Sequence, residues 1–197
     1  FGAESAMRTA RIAAELAGDG VIGIGLGGDE ARFPAALFED VFAFARAQGL
    51  HVVAHAGEAD GAHSVRDAVE LLGAERIGHG IRALEDPTVV EMLREREIPL
   101  EVCPTSNFLT GVASREHPHP LRELDAAGLR IAIDADDPTL FGTTISDEYA
   151  YVAREMGNDA LQRFIHQAVD ASFLDPLAKQ ALHARIGMEP APPGAKF

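Results

Sequence analysis

The sequence predicts a parallel α/β fold, and three features carry that prediction. Apolar runs at 20–28, 51–58, 75–80, 98–107 and 129–138 each end in glycine or polar residues. The runs are apolar throughout instead of cleanly alternating, as expected of parallel strands buried on both faces. Segments with helical spacing separate them, giving strand–helix units of roughly 25–30 residues.

Taken in order, "GVIGIGLGG" (20–28) is a short strand broken by glycines. Over 34–48 Pro34 suits a first helical turn, Leu37, Val41 and Phe44 make one face, and Gly49 serves as the stop. The strand "HVVAHAGE" (51–58) leads to a helix over 64–73. There Ser64 and Asp67 resemble a capping box, Val65, Ala68, Val69 and Leu72 face inward, and Gly73 closes. After "ERIGHG" (75–80), Asp86-Pro87 opens a helix through Arg96. "IPLEVCPTSN" (98–107) is followed by a short helix over 120–127, and "LRIAIDADDP" (129–138) by a tail that reads as helical from Ser146 to Ile186. The closing "PAPPGAKF" reads as a frayed end. No linker or low-complexity segment divides the chain, so 1–197 is expected to be a single domain.

Composition limits the function classes. With 47% hydrophobic and 24% charged residues the chain can build a sizeable core. Its formal charge of −14 argues against nucleic acid and anionic membranes as partners, because phosphates would be repelled. A small molecule or a cation fits better. A single cysteine, Cys103, excludes an intramolecular disulfide and reads as a small buried residue. No run approaches the ~18 apolar residues of a membrane helix, and the expected location is cytoplasmic.

Two parallel architectures compete, the doubly wound sheet and the (β/α)8 barrel. "GIGLGGDE" contains a G-x-G but no G-x-G-x-x-G that opens a helix, so the nucleotide-fold signal is weak. The barrel is favoured because polar residues collect after the carboxyl ends of the strands, where barrel enzymes build their sites. They are Gly28-Asp29-Glu30, His55 and Glu58, His79, Ser106-Asn107 and Asp136-Asp137. Singly each is ordinary: a structural histidine, a solvated loop at 29–30, turn chemistry at Ser106-Asn107, an aspartate capping the helix after a Pro. As a set they combine metal donors with a carboxyl able to shuttle protons, which is hydrolytic apparatus.

The ordered series "GLGGDE", "HAGE", "ERIGHG", "EVCPTSN", "HPL" and "DDP" resembles the adenosine deaminase family. The match runs from about Gly20 to Tyr149. The resemblance implies a zinc-dependent (β/α)8 barrel of the amidohydrolase superfamily that converts a purine nucleoside, adenosine, to inosine and ammonia. It also implies roles. His55 and Asp136 would be zinc ligands, and Asp136 would help accept the water proton. Glu58 would donate a proton to the purine ring, and His79 would orient the attacking hydroxide. Gly28, through its backbone N–H, and Asp137 would bind ring nitrogens of the substrate. "RIGHG" resembles the nucleoside-type enzymes, whereas adenine-specific relatives tend to carry Asp in place of Gly78. "IPLEVCPTSN" and "FGTT" also resemble members acting on 6-aminodeoxyfutalosine.

The chain departs from the family pattern in two places. Asp134-Ala135 stands before the acid pair where the family has Asn or Ser followed by Ser or Thr. No His-x-His precedes "GLGGDE" to supply two further ligands, and His117-Pro118-His119 reads as a loop and helix start. Five strands where the barrel needs eight lead to the expectation of a carboxyl-terminal part lacking three units and inactive alone. Two other classes are disfavoured by the sequence. A two-metal hydrolase is disfavoured because the only lysines, Lys179 and Lys196, lie in the tail. A non-catalytic purine-binding protein is disfavoured by the intact acid and histidine set.

Overall fold

Five strands form one parallel sheet, β1 (Gly23–Leu26), β2 (His51–Ala56), β3 (Arg76–His79), β4 (Leu100–Val102) and β5 (Ile131–Ile133), in a computed structural model that describes residues 2–186. Each strand pairs with its successor, so the sheet order β1-β2-β3-β4-β5 is the chain order. A doubly wound sheet reverses its order at a switch point, and no reversal occurs here. These are consecutive units of a (β/α)8 barrel, as expected.

The helices are α1 (Gly2–Glu15), α2 (Glu39–Ala47), α3 (Ala62–Glu70), α4 (Pro87–Glu95), α5 (Pro104–Leu109), α6 (Leu121–Ala126), α7 (Pro138–Phe141), α8 (Ile145–Met156), α9 (Asn158–Ala171) and α10 (Pro176–Ile186). Their apolar stripes cover one face of the sheet. Phe42, Leu72, Ile77, Leu93, Leu100, Leu124, Ile131 and Phe164 are fully buried in one continuous core. Each such side chain contributes about 1.5–3 kcal/mol. Burial on both faces holds less well for the leading strands. Along β2, Val52, Ala54 and Ala56 are buried, while His51, Val53 and His55 on the opposite face are not.

Several local expectations need correction. Segment 34–48 opens with a 3-10 turn over Ala35–Phe38, and its inward face is Phe38, Val41, Phe42 and Ala45; Leu37 is 53% exposed. Gly61, not Ser64, stands before α3, so the Ser64–Asp67 capping box does not form. The strand read over 98–107 stops at Val102, because Pro104 suits a first helical turn and starts α5. The tail is broken at Gly157 and between Ser172 and Asp175 into three helices. The Asp86-Pro87 helix start holds, with Asp86 accepting from the Thr88 N–H at 2.9 Å. "PAPPGAKF" lies outside the described residues. Among the described residues no helix is long and apolar enough to cross a membrane.

Candidate active site

Strand register brings the predicted residues together. His55 lies opposite Gly78, and Ala56 opposite His79, so the turns after β2 and β3 emerge side by side. Two site residues leave their strands in the left-handed conformation that L side chains seldom adopt, His79 (φ 65°) and Asp136 (φ 57°). Each such residue costs about 1–3 kcal/mol and persists only where its surroundings hold it. Gly57 of "HAGE" (φ 66°) is needed because a Cβ there would sit 2.6 Å from Val65 Cγ2. At Gly80 of "RIGHG" (φ 67°) a Cβ would meet Leu100 at 2.5 Å. These motif glycines let the site loops press onto the core.

The donor atoms of His55, Glu58 and His79 lie within 4.8 Å of one another, and those of His79, Cys103 and Asp136 do likewise. The His55 and His79 rings meet edge to face with centroids 5.0 Å apart. Glu58 Oε2 is 3.4 Å from His79 Nε2. Burial raises the Glu58 pKa from its ordinary value, with His55 opposing and Asp136 and Glu30 acting in the same direction. Burial also lowers the His79 pKa to about 4. Because its pKa lies near 4, His79 faces Glu58 as a neutral imidazole and not as the cation of an ion pair. Burial pushes the Cys103 thiol up, which keeps it protonated and unsuited to be a nucleophile.

Imidazole and carboxylate are donors that zinc takes, and the two expected ligands His55 and Asp136 fall in different clusters that share His79. The His55 imidazole makes no hydrogen bond among the described residues, and Asp136 accepts the Ser106 hydroxyl at 2.6 Å, as an oriented ligand carboxylate does.

Residues read as ordinary prove to support the site. The Glu30 carboxylate, read as a solvated loop, accepts the backbone N–H groups of Gly57 (2.5 Å), Glu58 (3.2 Å), Ala59 (2.8 Å) and Asp60 (3.1 Å). It also accepts the Ser64 hydroxyl. Ser106 and Asn107, read as turn residues, are buried, and Asn107 contacts both His79 and His119. His119 is buried whereas His117 is exposed, so His117-Pro118-His119 is not a ligand pair. The only local signal for these residues was their place just after strand ends.

Gly28 and Asp137 are placed differently. Gly28 (φ 118°) is exposed and lines a cavity of about 450 Å³ together with His55, Phe33 and Phe38. That cavity lies under α1 and includes neither Glu58, His79, Asp136 nor Asp137 in its lining, so it meets the cluster only at His55. One Asp137 oxygen caps α7, accepting from the Leu140 N–H at 2.9 Å, which fits the capping alternative for one member of the pair. Asp134 turns an oxygen onto the N–H groups of Ala135 (2.6 Å) and Asp136 (3.3 Å), shaping the turn that carries Asp136.

The family model described as adenosine deaminase matches residues 2–188. The chain belongs to the adenosine deaminase family. Among members of this family, the aminodeoxyfutalosine deaminase of Streptomyces coelicolor is 44% identical over 192 residues, covering 95% of this chain and 49% of that protein. The adenosine deaminase of Shewanella loihica is 42% identical over 166 residues, covering 83% and 50%. The crystal structure of an adenine deaminase from Arthrobacter aurescens superimposes with a TM-score of 0.88 at 31% identity, over 94% of this chain and 57% of that one. An amidohydrolase from Burkholderia ambifaria with bound zinc matches at 0.87 and 28% identity, over 94% and 53%. The chain thus spans about half the length of the curated relatives it matches.

Proposed function

We propose that the full-length protein carrying this chain removes the amino group of a 6-aminopurine by zinc-assisted hydrolysis, with adenosine the leading substrate. The observation that carries this reading is the Glu58 carboxyl, its pKa raised by burial, held 3.4 Å from His79 and gathered with His55 within 4.8 Å. His55 and Asp136 would be the zinc ligands contributed by this chain. A zinc ion held there would supply a water whose pKa is lowered toward neutrality. Glu58, whose pKa is raised by burial, gives its proton to the ring nitrogen beside the amine-bearing carbon. Water oxygen bonds to that carbon while Asp136 helps accept a water proton. That proton passes to the amino group, the carbon–nitrogen bond breaks and ammonia leaves. The second water proton restores Glu58 as the ring becomes the oxo form. Gly28 and Asp137 are assigned to ring nitrogens, Asp137 through the oxygen not engaged with α7.

A second reading, 6-aminodeoxyfutalosine as substrate, is favoured by the 44% identity to a deaminase of that name. The adenine reading draws on the Arthrobacter neighbour and is opposed by Gly78, the nucleoside-type choice. Position 78 touches the site directly, since a Cβ there would come 3.0 Å from His55 Cδ2. The test is ammonia release by the zinc-loaded full-length protein from adenosine, 6-aminodeoxyfutalosine and adenine. The fastest substrate identifies the member, and release from none of them overturns the proposal.

A further inference from the structure

A buried polar chain runs from the start of α6 to the active site. His119 is 3% exposed, Asn107 0% and His79 1%. The Leu121 backbone N–H, a donor only, points at His119 Nδ1 at 3.1 Å. That nitrogen must hold a lone pair, so in neutral imidazole the proton sits on Nε2. Burial keeps His119 neutral, with its pKa lowered to about 4. His119 Nε2 lies 3.1 Å from Asn107 Oδ1 and donates to it. The amide orientation follows, and Asn107 Nδ2 donates to His79 Nδ1 at 3.1 Å. In neutral His79 the proton then belongs on Nε2, the nitrogen that faces Glu58 Oε2.

We propose that Asn107 and His119 are positioning residues that lock His79 in the Nε2–H tautomer, so that it meets Glu58 and the reacting oxygen as a hydrogen-bond donor. The direction of the whole chain is set at its far end by the Leu121 main-chain amide, which cannot reverse. One consequence concerns the metal. With Nδ1 engaged by Asn107 and Nε2 protonated, His79 offers no lone pair to an ion. Although it sits in both candidate donor clusters, it is a donor of hydrogen and not a ligand. The catalytic consequence rests on the deaminase reading; the tautomer rests on hydrogen bonding alone.

The test is ¹⁵N NMR of the full-length protein labelled at histidine. The wild type is expected to show His79 with Nε2 protonated and Nδ1 not. In Asn107→Asp the carboxylate accepts from His119 Nε2–H and from His79, so His79 Nδ1 becomes protonated. The same variant is expected to lose about 10–100-fold in kcat with KM little changed. A wild-type His79 protonated at Nδ1 overturns the proposal even if the variant fails to fold. So does a folded Asn107→Asp protein with an unchanged His79 pattern. If the wild type shows the expected tautomer yet deaminates no aminopurine, the functional reading falls and the tautomer assignment stands.

Discussion

Glu30 holds the loop that carries Glu58: its Oε2 accepts the Glu58 backbone N–H at 3.2 Å and those of Ala59 and Asp60 at 2.8 and 3.1 Å. Its other oxygen takes the Gly57 N–H at 2.5 Å and the Ser64 hydroxyl. One carboxylate thus fixes a run of successive main-chain donors, and with them the position of the acid.

Replacing Glu30 by Gln keeps the shape but leaves one acceptor oxygen for the same donors. Activity of the full-length protein is expected to fall about 10–100-fold. Stability to urea is expected to fall by about 1 kcal/mol, since the donors left short of a partner are mostly only partly buried. Unchanged kcat/KM and an unchanged urea midpoint together would remove Glu30 from the supporting set.

Glu58 must be protonated to donate, and burial raises its pKa. The active population is therefore complete at low pH and is lost as pH rises through the raised value. kcat is expected to show a descending limb above the ordinary carboxyl range, and Glu58→Gln is expected to abolish turnover while keeping the fold. A kcat flat across that range, or full turnover by the Gln variant, contradicts the proton-donor role.

His119 should tie stability to pH. Its pKa is about 4 in the folded protein against an ordinary 6.5, so the unfolded chain binds the extra proton between those limits. Stability from this group is complete above the unfolded value and declines as pH falls toward 4, by at most about 3 kcal/mol. Denaturant midpoints measured from pH 7 to 4 should fall, and fall less in a folded His119→Gln variant. Equal slopes for the two proteins would refute the linkage.

Purified residues 1–197 supplied with zinc are expected to release no ammonia from adenosine. Among the proposed roles this chain contributes His55 and Asp136 to the metal, two donors where a catalytic zinc site commonly uses three protein ligands. Measurable ammonia release by this polypeptide is the outcome that refutes the expectation.

Much of the fold was legible because the signals are local. Every apolar run became a strand, and Asp86-Pro87 started a helix because a capping carboxylate and a fixed proline φ act within a few residues. The errors arose where tertiary contacts outweighed local ones. Ser64 gives up the cap its sequence suggests because its hydroxyl is drawn to Glu30. Thr105 and Asn107 were read into a strand, yet lie in α5 packed against neighbours from other units.

The sequence by itself determined the strand–helix repeat, the chemical inventory His55, Glu58, His79, Asp136 and Asp137, and the glycines that the site loops require. Only the tertiary structure decided which groups act on that inventory. Glu30 reaches Glu58 across 28 residues, and Asn107 reaches His79 across another 28, separations at which no periodic pattern operates. Protonation was decided there too, because burial, a property of the packed chain, raises the Glu58 pKa and lowers that of His79. A residue's identity sets which proton it can hold, and its surroundings set whether it holds it.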